Sequence, residues 1–193
     1  NQFMDLNFKV VQAAWDQYVA GPDPIPDQIE GVRQEIADSW RRAQGNVNPF
    51  LTEMKTLSKD ELDKVMKENT LLCEIAFPYL MDFYRFLRET KHHIMLSDTD
   101  GYQLLLINDD QQFKLLSQQT QLNDGCDFSE GSAGANGIGL ALATEAPVVV
   151  LGPEHFLKMY HPLVCYASPI YDTAHHLIGS INITGPLETY QPY

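Results

Sequence analysis

The feature that most constrains this chain is a glycine-rich stretch, residues 123–160, which reads NDGCDFSEGSAGANGIGLALATEAPVVVLGPEHFLKMY. Its glycines allow positive φ angles or the close approach of another group. The sequence that follows them predicts a short helix from Ile138 to Thr144, a strand after Pro147, and a turn at Gly152 and Pro153. This order predicts one wall of a pocket. A loop built only for tight packing is the alternative.

Composition and spacing exclude several classes of function. The spacing of Gly131, Gly134 and Gly137 is not that of G-x-G-x-x-G, and no Gly-Lys-Ser or Gly-Lys-Thr of a P-loop occurs. The net charge of −13 argues against direct contact with nucleic acid, because phosphate contacts need Lys and Arg. No apolar run approaches the ~20 residues of a membrane span, so we expect no membrane contact. Three cysteines without C-x-x-C pairing favour reduced thiols and a cytoplasmic protein.

The first half of the chain is predicted to be helical. Residues 2–20 form a helix with two apolar lines, and such a helix needs burial on two faces. Either a homodimer held largely by helices, residues 2–20 and 58–89, or packing inside one protomer supplies it. The first line contains Phe3, Leu6, Val10, Ala13, Ala14 and Tyr18, and the second contains Phe8, Val11, Trp15 and Val19.

Two further helices are predicted from capping boxes. The spacing of Asp27 and Glu30 predicts a helix that begins at Asp27 and ends at Gly45. Ser58 and Glu61 have the same spacing and predict a long helix to about residue 89, kinked or interrupted at Pro78.

The period then changes to that of strands. Asp100-Gly101 predicts a hairpin between residues 92–98 and 102–107. A second hairpin is predicted between residues 163–171 and 177–184. Between the hairpins, a short helix capped by Asp109 or Asp110 is predicted, and it carries Phe113, Leu115 and Leu116.

The second hairpin permits an inference about register. If Tyr171 lies opposite Leu177, the polar residues of both strands share one face of the sheet and the apolar residues share the other. The polar pairs would be Ser168 with Ser180 and Tyr166 with Asn182. The apolar face, with Cys165, Ala167, Ile181 and Ile183, would pack on the long helix.

We therefore expect a small-molecule pocket between the polar sheet face and residues 123–160. Apolar walls with a few polar groups are typical of such a site. The alternative is that Phe156 and Tyr160 fill this space. The predicted lining residues are Phe128, Glu130, His155, Phe156, Tyr160, Tyr166, Ser168, Ser180 and Asn182.

Individual residues here have competing interpretations. Asn136 precedes a helix and is predicted to be its N-cap, whereas Glu130 could hold loop amides or a ligand. His155 is the best functional candidate, because an imidazole can donate, accept or titrate. His155, His161 and Cys165 match no structural zinc spacing, so we expect no metal and no cofactor. Cys126 is expected to be an exposed thiol but has no adjacent base in sequence, so we expect no catalysis.

A larger set of ordered motifs resembles one known family. The motifs begin with R33-x-x-I36-x-x-S39-W40-x-R42 and VNP at 47–49, and continue with L96-x-D98-x-x-G101. They go on through SE-x-x-x-G-x-N-x-IG-x-AL at 129–142, PV at 147–148 and EHF at 154–156. They end with C-x-A-x-PI-x-D at 165–172, IG at 178–179 and Gly185. Together they resemble the N-terminal sensor region of sigma-54-dependent bacterial transcription activators, of the type that regulates acetoin and glycerol catabolism.

The resemblance implies an α+β fold: a GAF domain, with a twisted antiparallel sheet flanked by helices, behind an N-terminal helical extension. We expect residues 1–57 to form the extension and 58–193 the GAF-like sensor domain with its leading long helix. The implied function is sensing of a small-molecule effector that regulates ATPase and DNA-binding domains elsewhere in a longer protein. The chain departs from the family pattern at Ala135, Gly137, Leu140 and His175, and Ala135 and Leu140 remove two hydroxyls from the expected pocket wall.

Two alternatives stay open for the function. The first is a protein-interaction or dimerisation module without a ligand. The second is a GAF-like methionine sulfoxide reductase, for which the cysteines show no convincing arrangement.

Overall fold

The computed structural model describes residues 2–108 and 122–190, with side chains from Asn7 onward. The short helix predicted after Asp109 lies outside the described residues. The helices are α1 (Gln2–Ala14), continued by a π-helical turn (Trp15–Val19), α2 (Gln34–Ala43), α3 (Lys59–Glu68), α4 (Thr70–Leu87), α5 (Glu130–Ala133) and α6 (Gly137–Thr144).

The first helix is confirmed, and most of its second apolar line packs inside the protomer. Val11, Trp15 and Val19 are buried in the core, whereas Val10 of the first line is 43% exposed. Packing within one protomer therefore accounts for much of the apolar surface of this helix from Asn7 onward.

The second helix begins later than predicted. Its first residue is Gln34, so the capping box at Asp27 and Glu30 is wrong. The physical reason is Gly31, whose φ of +78° is incompatible with a continuous right-handed helix. Gly45, with φ +80°, follows the end of the helix as predicted.

The long third helix is divided, but not at the proline. Ser58 and Glu61 form the predicted capping box. The division between α3 and α4 falls at Asn69, whose φ and ψ of −102° and 16° leave the helical region, whereas Pro78 lies inside α4. Among the described residues, no helix has the length and hydropathy needed to cross a membrane.

Five antiparallel strands form one sheet in the order β2-β1-β5-β4-β3. They are β1 (His93–Ser97), β2 (Gln103–Ile107), β3 (Val148–Leu151), β4 (Leu163–Tyr171) and β5 (Leu177–Pro186). Both predicted hairpins are present. In the first, Gly101 has φ +89°, and the Asp98 carboxylate accepts hydrogen bonds from the backbone N–H groups of Asp100 and Tyr102.

The register predicted for the second hairpin is wrong by one residue over most of its length. Tyr171 does lie opposite Leu177, but a bulge between Ile170 and Tyr171 shifts the remaining pairs. As a result, Ser168 pairs with Ile181.

This shift separates the polar residues that were predicted to share a face. Asn182 pairs with Ala167, and both lie on the face that also carries Ser180. Tyr166 and Ser168 lie on the opposite face.

The sheet separates two hydrophobic clusters. On one face, Ile181 and Ile183 belong to the cluster that contains Leu80 and Tyr84 of α4, as predicted. Cys165 and Ala167, predicted for the same side, lie on the opposite face. We call this the cavity face; it packs against the glycine-rich stretch.

The N-terminal helices share the core of the cavity face. Trp15 and Trp40 belong to one buried cluster with Phe156, Ile138 and Met95. The proposed boundary between an extension and a sensor domain at residue 58 stays a prediction, and the hydrophobic core crosses it.

Candidate functional site

A small cavity lies between the cavity face and the glycine-rich stretch. Its volume, measured for the centre of a water-sized sphere, is about 10 Å³, which is enough for about one water molecule. Its walls are formed by Met95, Leu122, Phe128, Asn136, Gly137, Ile138, His155, Tyr160, Leu163, Cys165, Asn182 and Thr184. Buried side chains therefore occupy most of the space in which a pocket was predicted.

The glycines shape the wall that faces the sheet. Gly134 has φ +62°, and a Cβ at this position would lie 2.4 Å from Phe156. At Gly137, a Cβ would lie 2.4 Å from the Oδ1 atom of Asn182. Asn136 is the N-cap of α6, as predicted, because its Oδ1 accepts from the backbone N–H of Gly139 at 3.0 Å.

The hydrogen bonds of His155 define its tautomer. Its Nδ1 lies 3.0 Å from the carbonyl oxygen of Gly152, so Nδ1 carries the proton. Its Nε2 lies 3.3 Å from the sulfur of Cys165 and accepts a hydrogen bond from the thiol. Burial lowers the pKa of His155 to about 3, so the imidazole is neutral at physiological pH.

A chain of hydrogen bonds continues from Cys165 across the sheet. The sulfur of Cys165 lies 3.2 Å from the hydroxyl of Thr184, and the side-chain amide of Asn182 donates to that hydroxyl at 2.6 Å. Burial raises the pKa of Cys165 to about 11. The thiol stays protonated and is a poor nucleophile.

Two polar atoms of the cavity walls have no hydrogen-bond partner among the residues that the structure describes. They are the hydroxyl oxygen of Tyr160 and the Oδ1 atom of Asn182, and both are buried. Burial also raises the pKa of Tyr160 well above its usual value, so the phenol keeps its proton. Unpartnered buried polar atoms are rare, since each costs about 1–3 kcal/mol.

The outer side of the same wall is fixed by hydrogen bonds to three consecutive backbone carbonyls. Trp40 Nε1 donates to the carbonyl of Glu154 at 2.8 Å, and Trp15 Nε1 donates to that of Phe156 at 3.0 Å. Between them, His161 Nε2 donates to the carbonyl of His155 at 3.2 Å. The N-terminal helices thus hold the backbone of the segment whose His155 side chain lines the cavity.

Two carboxylates connect α2 and its N-terminal flank to the glycine-rich stretch. Glu130 accepts from Arg42 at 2.7 and 2.9 Å and from the hydroxyl of Ser39. Glu154 accepts from Arg33 at 2.6 and 2.9 Å. The residues of the R-x-x-I-x-x-SW-x-R motif therefore hold α2 against the cavity wall. We call these contacts the carboxylate clamp.

The structure brings together four of the nine predicted lining residues, and their role in binding stays a prediction. Phe128, His155, Tyr160 and Asn182 line the cavity. Phe156 is buried beside it, but its ring packs against Gly134.

The other four predicted lining residues lie elsewhere. Glu130 belongs to the carboxylate clamp. Ser180 lies on the cavity face but bonds to the hydroxyl of Ser97 at 2.7 Å. Tyr166 and Ser168 are on the opposite face because of the bulge.

Sequence reasoning missed other residues of the cavity walls. Met95, Cys165 and Thr184 reach it from three neighbouring strands, and only the correct register would have placed them together. Ala135 and Leu140 are buried and lie outside the cavity lining.

The cysteines also differ from expectation. Cys126, predicted to be exposed, is 1% exposed, because it follows Gly125 in a loop whose backbone pairs with Gln103. Among the described residues, no three His, Cys, Asp or Glu side chains are grouped so that they could hold a metal ion.

A five-stranded antiparallel sheet between helices, with a small cavity on one face, defines a domain of the GAF-like class. Comparison with known sequences goes one step further. The chain belongs to the MimR N-terminal domain family, whose sequence model matches residues 9–192. The predicted resemblance to the N-terminal region of bacterial transcription activators is confirmed.

Three curated relatives illustrate the family. The acetoin dehydrogenase operon transcriptional activator AcoR of Bacillus subtilis is 32% identical over 183 residues, which are 93% of this chain and 29% of AcoR. A signal-transduction and transcriptional-control protein of Clostridium beijerinckii is 32% identical over 141 residues, covering 72% of this chain and 22% of that protein. The propane 2-monooxygenase operon transcriptional activator MimR of Mycolicibacterium smegmatis is 28% identical, with coverage of 90% and 28%. The chain spans less than a third of the length of each relative.

A solved structure supports the fold. The crystal structure of the E. coli DhaR(N)–DhaL complex contains a chain that matches with a TM-score of 0.77 at 20% sequence identity. The match covers 82% of this chain and 54% of that chain. The predicted α+β GAF-like architecture is confirmed.

Proposed function

We propose that this chain is the signal-sensing region of a longer transcription activator, and that its signal is a small uncharged molecule bound at the cavity. The observation that carries the proposal is the pair of unpartnered polar atoms, Tyr160 Oη and Asn182 Oδ1, on the walls of one cavity. The Asn182 oxygen can only accept, whereas the Tyr160 hydroxyl can donate or accept. A ligand hydroxyl can satisfy both atoms, because it donates one hydrogen bond and accepts another.

The same walls disfavour ions. The described residues of the cavity lining include no Asp, Glu, Lys or Arg, and His155 is neutral. A charged ligand would lose its hydration without gaining an opposite charge, which is costly. Since the cavity holds about one water, any larger ligand must displace part of its wall, and this displacement is the proposed signal.

The longer protein supplies the response. We propose that, as in a sigma-54-dependent activator, the signal regulates ATPase and DNA-binding domains in the remainder of the protein. The relatives are described as transcriptional activators and regulators rather than as enzymes, which supports a non-catalytic role. The net charge of −13 supports the absence of direct DNA contact by this region.

Thermal-shift measurement and native mass spectrometry test the ligand proposal. The probes are small neutral alcohols, diols and hydroxyketones, compared with carboxylates of equal size. We expect neutral hydroxy compounds to raise the melting temperature, since a ligand at 100 times its dissociation constant stabilises by about 2.7 kcal/mol. The Tyr160→Phe variant keeps the ring and removes only the hydroxyl, so its affinity should fall by about 1–2 kcal/mol.

The control is Tyr171→Phe, which removes an exposed hydroxyl that donates to the carbonyl of Glu145 at 2.9 Å. It should leave ligand affinity unchanged. The proposal fails if no neutral compound binds, or if a compound binds wild type and Tyr160→Phe equally.

A second candidate function is protein interaction, including the homodimer through helices that the sequence predicted. The specific observation is a row of large apolar side chains exposed on α4. The E. coli DhaR(N) chain, which shares the fold, is in complex with the protein DhaL, so this fold is compatible with a protein partner. We propose that this chain forms a homodimer.

A further inference from the structure

Five of the six large apolar residues exposed on α4 form one continuous stripe, and the sixth, Phe77, lies on another side of the helix. The five are spaced four, four, four and three residues apart, which places all of them on the same side of a helix. They are Leu71, Ile75, Tyr79, Phe83 and Phe86, with exposed fractions of 71, 58, 73, 42 and 80%. We call this set the α4 stripe.

The stripe does not contribute to the protomer's own core. The opposite side of α4 meets the sheet through Leu80 and Tyr84, which are buried. The stripe therefore offers apolar surface that the described part of the chain leaves uncovered.

The size of the stripe suits a stable protein interface. Large apolar and aromatic side chains bury roughly 150–250 Å² each, so the exposed parts of these five sum to roughly 600 Å². A standard interface buries about 800 Å² per partner, including the rim around its apolar centre. Isolated apolar residues are common on monomer surfaces, but a contiguous patch of this size marks an interaction site.

Charge favours a second copy at this position. Two chains that each carry −13 repel each other over most of their surfaces. Between Asn69 and Met81, the one charged residue is Glu74. Beside the stripe, Asp82 is neutralised by Arg85 at 3.0 Å. The stripe itself carries no charged side chain, so two copies can approach there with less repulsion than over the rest of their surfaces.

We propose that two copies of this chain associate through the α4 stripe about a two-fold axis, so that the stripe of each copy covers that of the other. A two-fold interface uses the same patch on both copies, and an apolar stripe is complementary to itself. This proposal rests on the homodimer proposed above and identifies the surface through which the two copies associate. Of the two helical segments predicted to hold the dimer, residues 2–20 and 58–89, it selects α4 in the second and sets aside α1, whose second apolar line is largely buried.

Light scattering and sedimentation velocity at about 1–100 μM, a typical range for weak dimers, test this assignment. Wild type should be a dimer. The Ile75→Glu and Phe86→Glu variants should raise the dissociation constant roughly 30-fold or more, because each places a carboxylate in the apolar centre. Both side chains point away from the core, so circular dichroism and the melting profile should show a folded protein.

The matched control is Val10→Glu, which adds the same charge to an exposed position on α1. It should leave the dimer intact. A monomeric wild type at 100 μM, or a dimer that dissociates with Val10→Glu but not with the two stripe variants, would overturn the proposal. Ligand-induced thermal shifts of Phe86→Glu separate the two proposals, because the sensor proposal requires the monomeric variant to keep its ligand response.

Discussion

At the scale of single residues, Gly134 shows how the cavity wall depends on the absence of a side chain. Its φ of +62° and ψ of −153° lie in a region that side chains rarely adopt. A methyl group would also collide with the Phe156 ring at 2.4 Å.

We expect Gly134→Ala to lower the free energy of unfolding by about 2–4 kcal/mol, because backbone strain and steric conflict add. Chemical denaturation measures the change. The control is Gly45→Ala, where φ is +80° but nothing lies within 4 Å of the added carbon. It carries strain alone and should cost about 1 kcal/mol. Equal losses in the two variants would show that the Phe156 contact is unimportant.

The sequence predicted the role of a single residue where its hydrogen-bond partners are close to it in the chain. Asn136 as an N-cap and the capping box at Ser58 need only neighbours within three positions, and both were found. Glu130 could not be assigned, because its partners Arg42 and Ser39 are about ninety positions away.

At the scale of elements, the carboxylate clamp determines how α2 lies on the glycine-rich stretch. Glu130 is largely buried, with a side chain 13% exposed, and Arg42 binds it with two nitrogens. Paired and partly buried carboxylates of this kind contribute more than exposed ion pairs.

We expect Glu130→Ala to lower the free energy of unfolding by about 1–3 kcal/mol, since it leaves Arg42 and Ser39 without their acceptor. The control is Asp82→Ala, which removes an exposed ion pair with Arg85 and should cost less than about 1 kcal/mol. Urea denaturation of both variants compares them. If Glu130→Ala left the free energy of unfolding unchanged, apolar packing alone would hold α2 in place.

The type of each element could be predicted from the hydrophobic period, but the pairing of the strands could not. Both hairpins were predicted from turn residues and alternation, yet the bulge at Ile170 moved Tyr166 and Ser168 to the other face. A bulge adds one residue to one strand and leaves no mark in the hydrophobic pattern. The cavity that lies between the sheet and residues 123–160 therefore has a lining that differs in part from the predicted one, and its role as a ligand site stays a prediction.

At the scale of the whole molecule, buried histidines link stability to pH. Burial is the main cause that lowers the pKa of His155 to about 3 and of His161 to about 4. Burial also lowers the pKa values of His92 and His93. In the unfolded chain, a histidine has a pKa of about 6.5. Between these values the unfolded state binds more protons, so acid favours unfolding.

We expect full stability above about pH 6.5 and a progressive loss as the pH falls from there towards 4. A fully buried histidine such as His155 contributes a slope of about 1.4 kcal/mol per pH unit. Urea denaturation at pH 7.5, 6.5 and 5.5 measures it. The slope should decrease in His155→Gln and persist in His175→Asn, which changes an exposed turn residue that adopts positive φ. A flat profile from pH 7.5 to 5.5 would contradict the burial of these rings.

The three carbonyls held along residues 154–156 have a spectroscopic consequence. The chain contains two tryptophans, and both indole N–H groups donate to this one segment. Indole emission depends on hydrogen bonding and on the polarity around the ring, so both fluorophores report on the same few backbone atoms. A displacement of that segment would alter the emission of the unlabelled protein, which therefore carries its own optical probe of the cavity wall.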